Sequence, residues 1–243
     1  MFDHVTIRAS DLAASERFYA TVLAPLGIEV THRDAQFVEW DDFSLVPAED
    51  ASAVTRRLHI AFLAPSREHA DEFWRAGTGA GYRDDGAPGP RREYGSDYYG
   101  AFLLDPDGNS AEAVHHQTPR GGANIDHLWI RVADVAASKR FYATIAPHAG
   151  LELGADTPER VQFRSPGGSF SLVAGTPTEH VHMAFPAGDD ATVEAFHRAA
   201  TAAGFRDNGP PGERAVYHAG YYGAYVLDPD GNNVEVVNHH RGD

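Results

Sequence analysis

"DHVTIRASDLAASERFYATVLAPLGIEV", residues 3–30, returns without a gap as "DHLWIRVADVAASKRFYATIAPHAGLEL", residues 126–153, with 15 of 28 positions identical. A second stretch does the same. "YYGAFLLDPDGNSAEAV" from Tyr98 matches "YYGAYVLDPDGNNVEVV" from Tyr221 at 12 of 17 positions. All of these pairs lie 123 residues apart, so the chain reads as one domain duplicated. The expected domains are residues 1–118 and 125–243. Residues 119–124 form a linker within the polar, Pro- and Gly-punctuated "QTPRGGAN" of residues 117–124.

Each half contains a fainter repeat. Asp3–Ala9 alternates like a strand, and Asp11 offers an N-cap to a helical run over Leu12–Leu23, with strand-like runs near Ile28, Phe37 and Phe43–Val46. The unit restarts at "RLHIAFLAP", followed by a helical run over Ser66–Gly79. Strands Tyr99–Leu104 and Ala111–Val114 close it through the "DPDGN" turn. The fold class expected is α+β. Each domain has two modules of strand, helix and three strands, forming a curled sheet around a cavity with helices outside. The recurring "RFYA" of both first helices is assigned to core packing.

Side chains alternate faces along a strand. Val5 and Ile7 then face the helix, while His4 shares the opposite face with Thr6 and Arg8. Ile60 and Phe62 pack inward, leaving His59 and Ala61 opposite. His127 and His182 repeat the pattern, and Glu112 and Glu235 sit on the off-helix face of the last strand of each half. A carboxylate within an apolar strand is costly unless it is paired or holds a cation. Two imidazoles and one carboxylate make the facial triad typical of iron(II); manganese, nickel or zinc would also fit. The triads expected are His4, His59 and Glu112 in one half, and His127, His182 and Glu235 in the other. The histidine pairs His115–His116 and His239–His240 read as surface groups at strand ends.

Composition narrows the function classes. With 42% apolar and 11% aromatic residues the chain supports a sizeable core. A net charge of −15 repels phosphate backbones and anionic lipid, so neither nucleic acid nor membrane is an expected partner. Cysteine is absent, which excludes disulfides and thiolate chemistry. No signal-like or membrane-spanning run is present, and the expected location is cytoplasmic. A monomer and a homodimer are equally open.

These motifs resemble the vicinal oxygen chelate superfamily, which includes glyoxalase I, bleomycin-resistance proteins and extradiol ring-cleaving dioxygenases. The resemblance rests on the paired modules, "DH" on the first strand, "LH" and "VH" on the second module's first strand, and "DPDGN…E" at the end. It implies a divalent metal, iron(II) favoured, on His4, His59, Glu112, His127, His182 and Glu235. Glyoxalase-type members add a carboxylate on the last strand of the first module. The matching "FSLVPA" and "FSLVAG" hold no acid, which leaves three ligands. The second half matches the extradiol signature through His218, Tyr225 and "DPDGNNVE", implying catalytic roles for His218 and Tyr225. Gly95 and Phe102 stand at the matching places of the first half. The distal histidine of those dioxygenases is missing from "SPGGSFSLV", with His180 nearby. The resemblance therefore implies a metal-dependent enzyme on a small molecule, foremost dioxygenase-like chemistry on a catechol-type, vicinal-oxygen substrate. The alternatives are a glyoxalase-type lyase or thiol transferase and a bleomycin-resistance-type drug-binding protein.

Overall fold

The computed structural model describes residues 1–116 and 123–240, so residues 119–122 of the expected linker lie outside the described residues. The first module comprises β1 (His4–Ala9), α1 (Leu12–Leu23), β2 (His32–Arg33), β3 (Val38–Trp40) and β4 (Phe43–Pro47). The second is β5 (His59–Leu63), α2 (Arg67–Gly79), β6 (Arg83–Pro90), β7 (Tyr99–Leu104) and β8 (Ser110–His115). The third runs β9 (Ile125–Val132), α3 (Val135–Ile145), β10 (Glu152–Asp156), β11 (Arg160–Ser165) and β12 (Gly168–Ala174). The fourth runs β13 (His182–Pro186), α4 (Asp190–Ala202), β14 (Arg206–Glu213), β15 (Tyr222–Leu227) and β16 (Asn233–Asn238).

Local chemistry explains these elements. Asp11 and Asp134 each accept a 3.0 Å bond from the backbone N–H three residues on, capping α1 and α3. In both "DPDGN" turns the first aspartate accepts backbone N–H bonds, Asp105 from Asp107 and Asn109, and Asp228 from Asp230 and Asn232. The glycine takes a left-handed φ of 86° at Gly108 and 91° at Gly231. Tyr19 and Tyr142 of the two "RFYA" runs are fully buried, as core packing requires, and each hydroxyl donates to the turn aspartate at 3.1 Å. Helix and turn are thus tied together by a bond that neither motif announces alone.

One reading of the sequence differs from the fold. No strand forms at Ile28; a 3₁₀ turn over Ala24–Leu26 and Gly27 at φ 77° turn the chain so that Ile28 enters the core. β6 and β14, "RDDGAPGP" and "RDNGPPGE", supply the third strand expected of their modules despite their Gly and Pro content. Both lie at a sheet edge and carry register shifts, where missing N–H donors cost little.

The decisive feature is how the modules pair. One eight-stranded sheet has the order β14-β15-β16-β13-β1-β4-β3-β2, and the other β10-β11-β12-β9-β5-β8-β7-β6. Each sheet therefore joins one module from each half: β1 runs antiparallel to β13, and β5 antiparallel to β9. The two modules of one half meet instead through α1 against α2, and through α3 against α4. Val5 and Ile7 share the core with Phe18 and Tyr19, so the helices cover one face of the sheets and the other face carries the histidines.

Candidate metal centres

On the three central strands of the first sheet, His4 lies opposite Ala184, and Ala184 beside Glu235. In the second sheet His127 lies opposite Ala61, and Ala61 beside Glu112. The middle residue of each row is an alanine, which leaves a gap between histidine and glutamate. The second histidine, His182 or His59, sits two residues along from that alanine on the same face and reaches into the gap.

The groups that meet are consequently His4 with His182 and Glu235, and His59 with Glu112 and His127, each set with ligand atoms within 4.8 Å of one another. All six sequence-derived ligand candidates are brought into clusters, but the expected grouping by halves is corrected. His59 and Glu112 do not join His4, and His182 and Glu235 do not join His127. Pairing of β1 with β13 and of β5 with β9 sets the exchange.

In the first cluster His4 Nε2 lies 3.0 Å from His182 Nε2 and 3.7 Å from Glu235 Oε2, while His182 Nε2 lies 3.1 Å from the same oxygen. In the second, Glu112 Oε2 is 3.0 Å from His59 Nε2 and 3.5 Å from His127 Nε2. The other carboxylate oxygen is occupied in both: Tyr221 donates to Glu235 Oε1 and Tyr98 to Glu112 Oε1, each at 2.7 Å. Glutamate thus presents one free oxygen to two imidazole nitrogens. A Cβ added at Gly223 or Gly100 would stand 2.5 Å from that Oε1, so glycine is what lets the carboxylate lie where it does.

The donor sets fit a divalent cation. Nε2 faces inward on all four histidines, and every Nδ1 is held by a side chain outside the cluster. Nδ1 donates to Asp3 at 2.9 Å in His4 and to Asp126 at 2.8 Å in His127. It lies 3.2 Å from Ser110 Oγ in His59, and in His182 it accepts from the Asn233 amide nitrogen at 2.7 Å. Such outer partners fix the rings: Nδ1 donates in His4, His127 and His59, which leaves Nε2 unprotonated for a metal, whereas His182 accepts at Nδ1 and carries on Nε2 a proton that a metal would displace. Two bonds of about 2.1 Å at a right angle would place two nitrogens about 3.0 Å apart, the spacing His4 and His182 already have.

Charge supports the same picture. Both glutamates are 1% exposed. Burial works to raise the Glu235 carboxyl, but hydrogen bonding and charge from His182, with His4 and Tyr221, hold it below the ordinary glutamate value. Burial likewise opposes charging of His4, yet Asp3, Glu235 and Glu39 leave it raised. Burial lowers His182, aided by the charge on His4. Burial, together with Glu112 and Glu235 respectively, pushes the phenols of Tyr98 and Tyr221 far up, so both remain proton donors.

Asp3 and Asp126 were not singled out from the sequence, although the "DH" dipeptide contains them. His239 donates to Asp3 at 2.9 Å and His116 to Asp126 at 2.8 Å. The reading of His116 and His239 as surface groups is therefore corrected: each is mostly buried and braces the aspartate that orients a cluster histidine. Their recurrence at the same 123-residue offset was the available signal. His218 Nε2 bonds His239 Nδ1 at 2.8 Å, so it reaches the cluster through Asp3. The Tyr225 hydroxyl is buried beside Tyr221 and Glu235 with no hydrogen bond of good geometry among the described residues, and its ring lies 6.2 Å from that of His182. His180 is exposed at φ 57° and precedes β13, so it does not share the His182 face. Ser44 and Ser171 occupy the strands where a fourth acid would lie; Ser44 bonds Thr6 at 2.7 Å.

A cavity of about 760 Å³, within the usual range for small-molecule sites, opens onto the His59–Glu112–His127 cluster. Tyr94, Tyr98, Phe102 and Trp129 give it aromatic walls. No helix among the described residues is long and apolar enough to cross a membrane.

Comparison with known proteins extends these observations. The model of the Glyoxalase/Bleomycin resistance protein/Dioxygenase superfamily matches residues 1–113 and again 124–236. Glyoxalase I from Zea mays aligns over 99% of this chain and 96% of its own, at 19% identity and a TM-score of 0.69. A Bacillus subtilis protein provisionally described as a dioxygenase aligns over 99% and 86%, at 16% identity and a TM-score of 0.69. No curated protein matches.

Proposed function

Since the chain belongs to the Glyoxalase/Bleomycin resistance protein/Dioxygenase superfamily, we propose that it is a metal-dependent enzyme with two 2-His-1-Glu centres, each assembled from both halves. The substrate class proposed is a small molecule carrying two adjacent oxygens, with dioxygenase-like chemistry and iron(II) as the favoured metal. The observation that carries the reading is the pair of clusters, each offering two outward-braced imidazoles and one free carboxylate oxygen. A bound cation would act as Lewis acid toward the substrate oxygens.

The chain's own groups have definable tasks. His4, His182 and Glu235, or His59, His127 and Glu112, hold the cation, and three protein ligands leave positions free for substrate. Asp3 and Asp126 keep Nδ1 protonated and the rings in place. Tyr98 and Tyr221, held neutral, lock the second glutamate oxygen. In the 4–182–235 centre the buried hydroxyl of Tyr225, beside Glu235, would donate to a substrate oxygen, and His218 would serve in proton transfer. A second reading, a glyoxalase-type lyase or isomerase, is favoured at the other centre. There Phe102 and Gly95 stand where Tyr225 and His218 would be.

Metal analysis of anaerobically purified protein, with oxygen uptake on adding catechol, tests the proposal. Iron with uptake supports it; nickel or zinc without uptake supports the second reading. Protein that holds no metal and sequesters a cationic drug would refute both.

A further inference from the structure

The wall of the cavity farther from its metal centre runs along β9, where His127, Trp129 and Arg131 share a face, and onto β11 with Arg160. Three arginines line this cavity in a chain of net charge −15. Arg57 is neutralised by an ion pair with Glu179 and a bond to the Pro177 carbonyl. The other two are not. Arg160 lies over the Trp129 ring, 4.9 Å from its centroid, and donates Nε to Ser171 at 3.1 Å. Arg131 is exposed, and its guanidinium forms no ion pair or hydrogen bond among the described residues. The cavity's five carboxylates lie elsewhere: Glu112 and Asp126 belong to the cluster and its brace, Asp85 accepts from Ser110 beside His59, and Glu93 and Asp97 belong to the Tyr94–Tyr98 loop region.

Resting on the proposed function, we propose that this cavity selects an anionic ligand with a flat apolar midsection. Its oxygen-bearing head lies at the His59–Glu112–His127 cluster, and its carboxylate, sulfonate or phosphate at Arg131 and Arg160. Four residues of strand separate His127 from Arg131, about 13 Å between Cα atoms, and the arginine side chains shorten the span left to the ligand to roughly 8–10 Å. Guanidinium recognises such oxyanions through paired N–H donors. The apolar midsection spans the distance between, along the aromatic wall of Tyr94, Trp129 and Phe102. The other centre lacks this wall. At the positions 123 residues earlier, Thr6 replaces Trp129, Phe37 replaces Arg160, and Arg8 is within 3.9 Å of Glu49. The two centres therefore differ in the ligand they accept, and the anion preference belongs to one.

The test begins with metal-free protein, so that it reads independently of metal chemistry. Calorimetric and tryptophan-fluorescence titrations compare 2-naphthoate with neutral 2-naphthamide, in the wild type and in R131Q/R160Q. The expected result is naphthoate binding about tenfold or more tighter than naphthamide, with the difference abolished in the double variant. Equal affinities, no binding of either probe, or an unchanged preference in R131Q/R160Q would overturn the proposal. Circular dichroism of the variant confirms that it folds. In metal-loaded protein, 3,4-dihydroxyphenylpropanoate should bind more tightly than catechol, and R131Q/R160Q should narrow that gap while retaining full metal content. A protein that takes up no metal but still prefers naphthoate would refute the proposed function and leave this inference standing.

Discussion

Pairs of histidine substitutions separate a centre assembled across the halves from one assembled within a half. Wild-type protein is expected to bind two divalent ions. His4 and His182 stand 3.0 Å apart in one cluster, and His127 belongs to the other. H182A should lower the stoichiometry to one ion. H4A/H182A should leave it at one, because both losses fall on the same cluster, whereas H127A/H182A should bring it to zero. Four-ligand structural zinc sites bind with about 10–16 kcal/mol, or about 3 kcal/mol per ligand, so losing one imidazole weakens a site by about a hundredfold or more. Ions at that affinity are removed by dialysis against a mild chelator and the remainder counted by elemental analysis. Glu235 loses its 3.1 Å partner in H182A but keeps the Tyr221 bond. The metal-free fold should therefore lose about 1–3 kcal/mol, which thermal unfolding will register without abolishing folding. Retention of one ion by H127A/H182A together with loss of both by H4A/H182A would refute the cross-half assembly.

Three further outcomes follow from particular contacts. Asp126→Asn, which weakens the brace on His127, should reduce affinity at the second centre by about 10–100-fold in a metal-competition titration, with the first centre unaffected. Gly223→Ala should displace the Glu235 carboxylate and weaken metal binding at the first centre, and should cost about 1–3 kcal/mol in unfolding because the oxygen it meets is the one bonded to Tyr221; unchanged affinity would contradict the tight approach. Burial raises the Asp105 carboxyl above its unfolded value of 3.8, so ionisation penalises the folded state. Its stabilising contribution is present below pH 3.8 and is lost as pH rises through the raised folded value. The stability of the wild type relative to Asp105→Asn should accordingly fall across that window, as denaturant unfolding at stepped pH will show.

Much of this protein was legible along the chain. A period of two in "DHVTIR" and "LHIAF" assigns each histidine to the face away from the helix. The 123-residue offset marks the duplication, and "DPDGN" marks the turn that carries each glutamate into its strand. These are local properties, set by backbone geometry and by which side chains water rejects. The edge strands β6 and β14 were expected in number but not placed, because an edge tolerates residues that the interior of a sheet refuses. His116 and His239 escaped because nothing in a strand-end dipeptide reveals the aspartate it will brace.

Which histidine meets which glutamate was settled only by tertiary structure. After duplication β5 and β13 present nearly the same pattern of apolar and polar residues, and β1 could present the same face to either. Alternation specifies a face and says nothing about the strand lying alongside. That choice is made by packing of α1 on α2 and of α3 on α4, which holds the modules of one half together on the helix side and leaves their sheets to be completed by the other half.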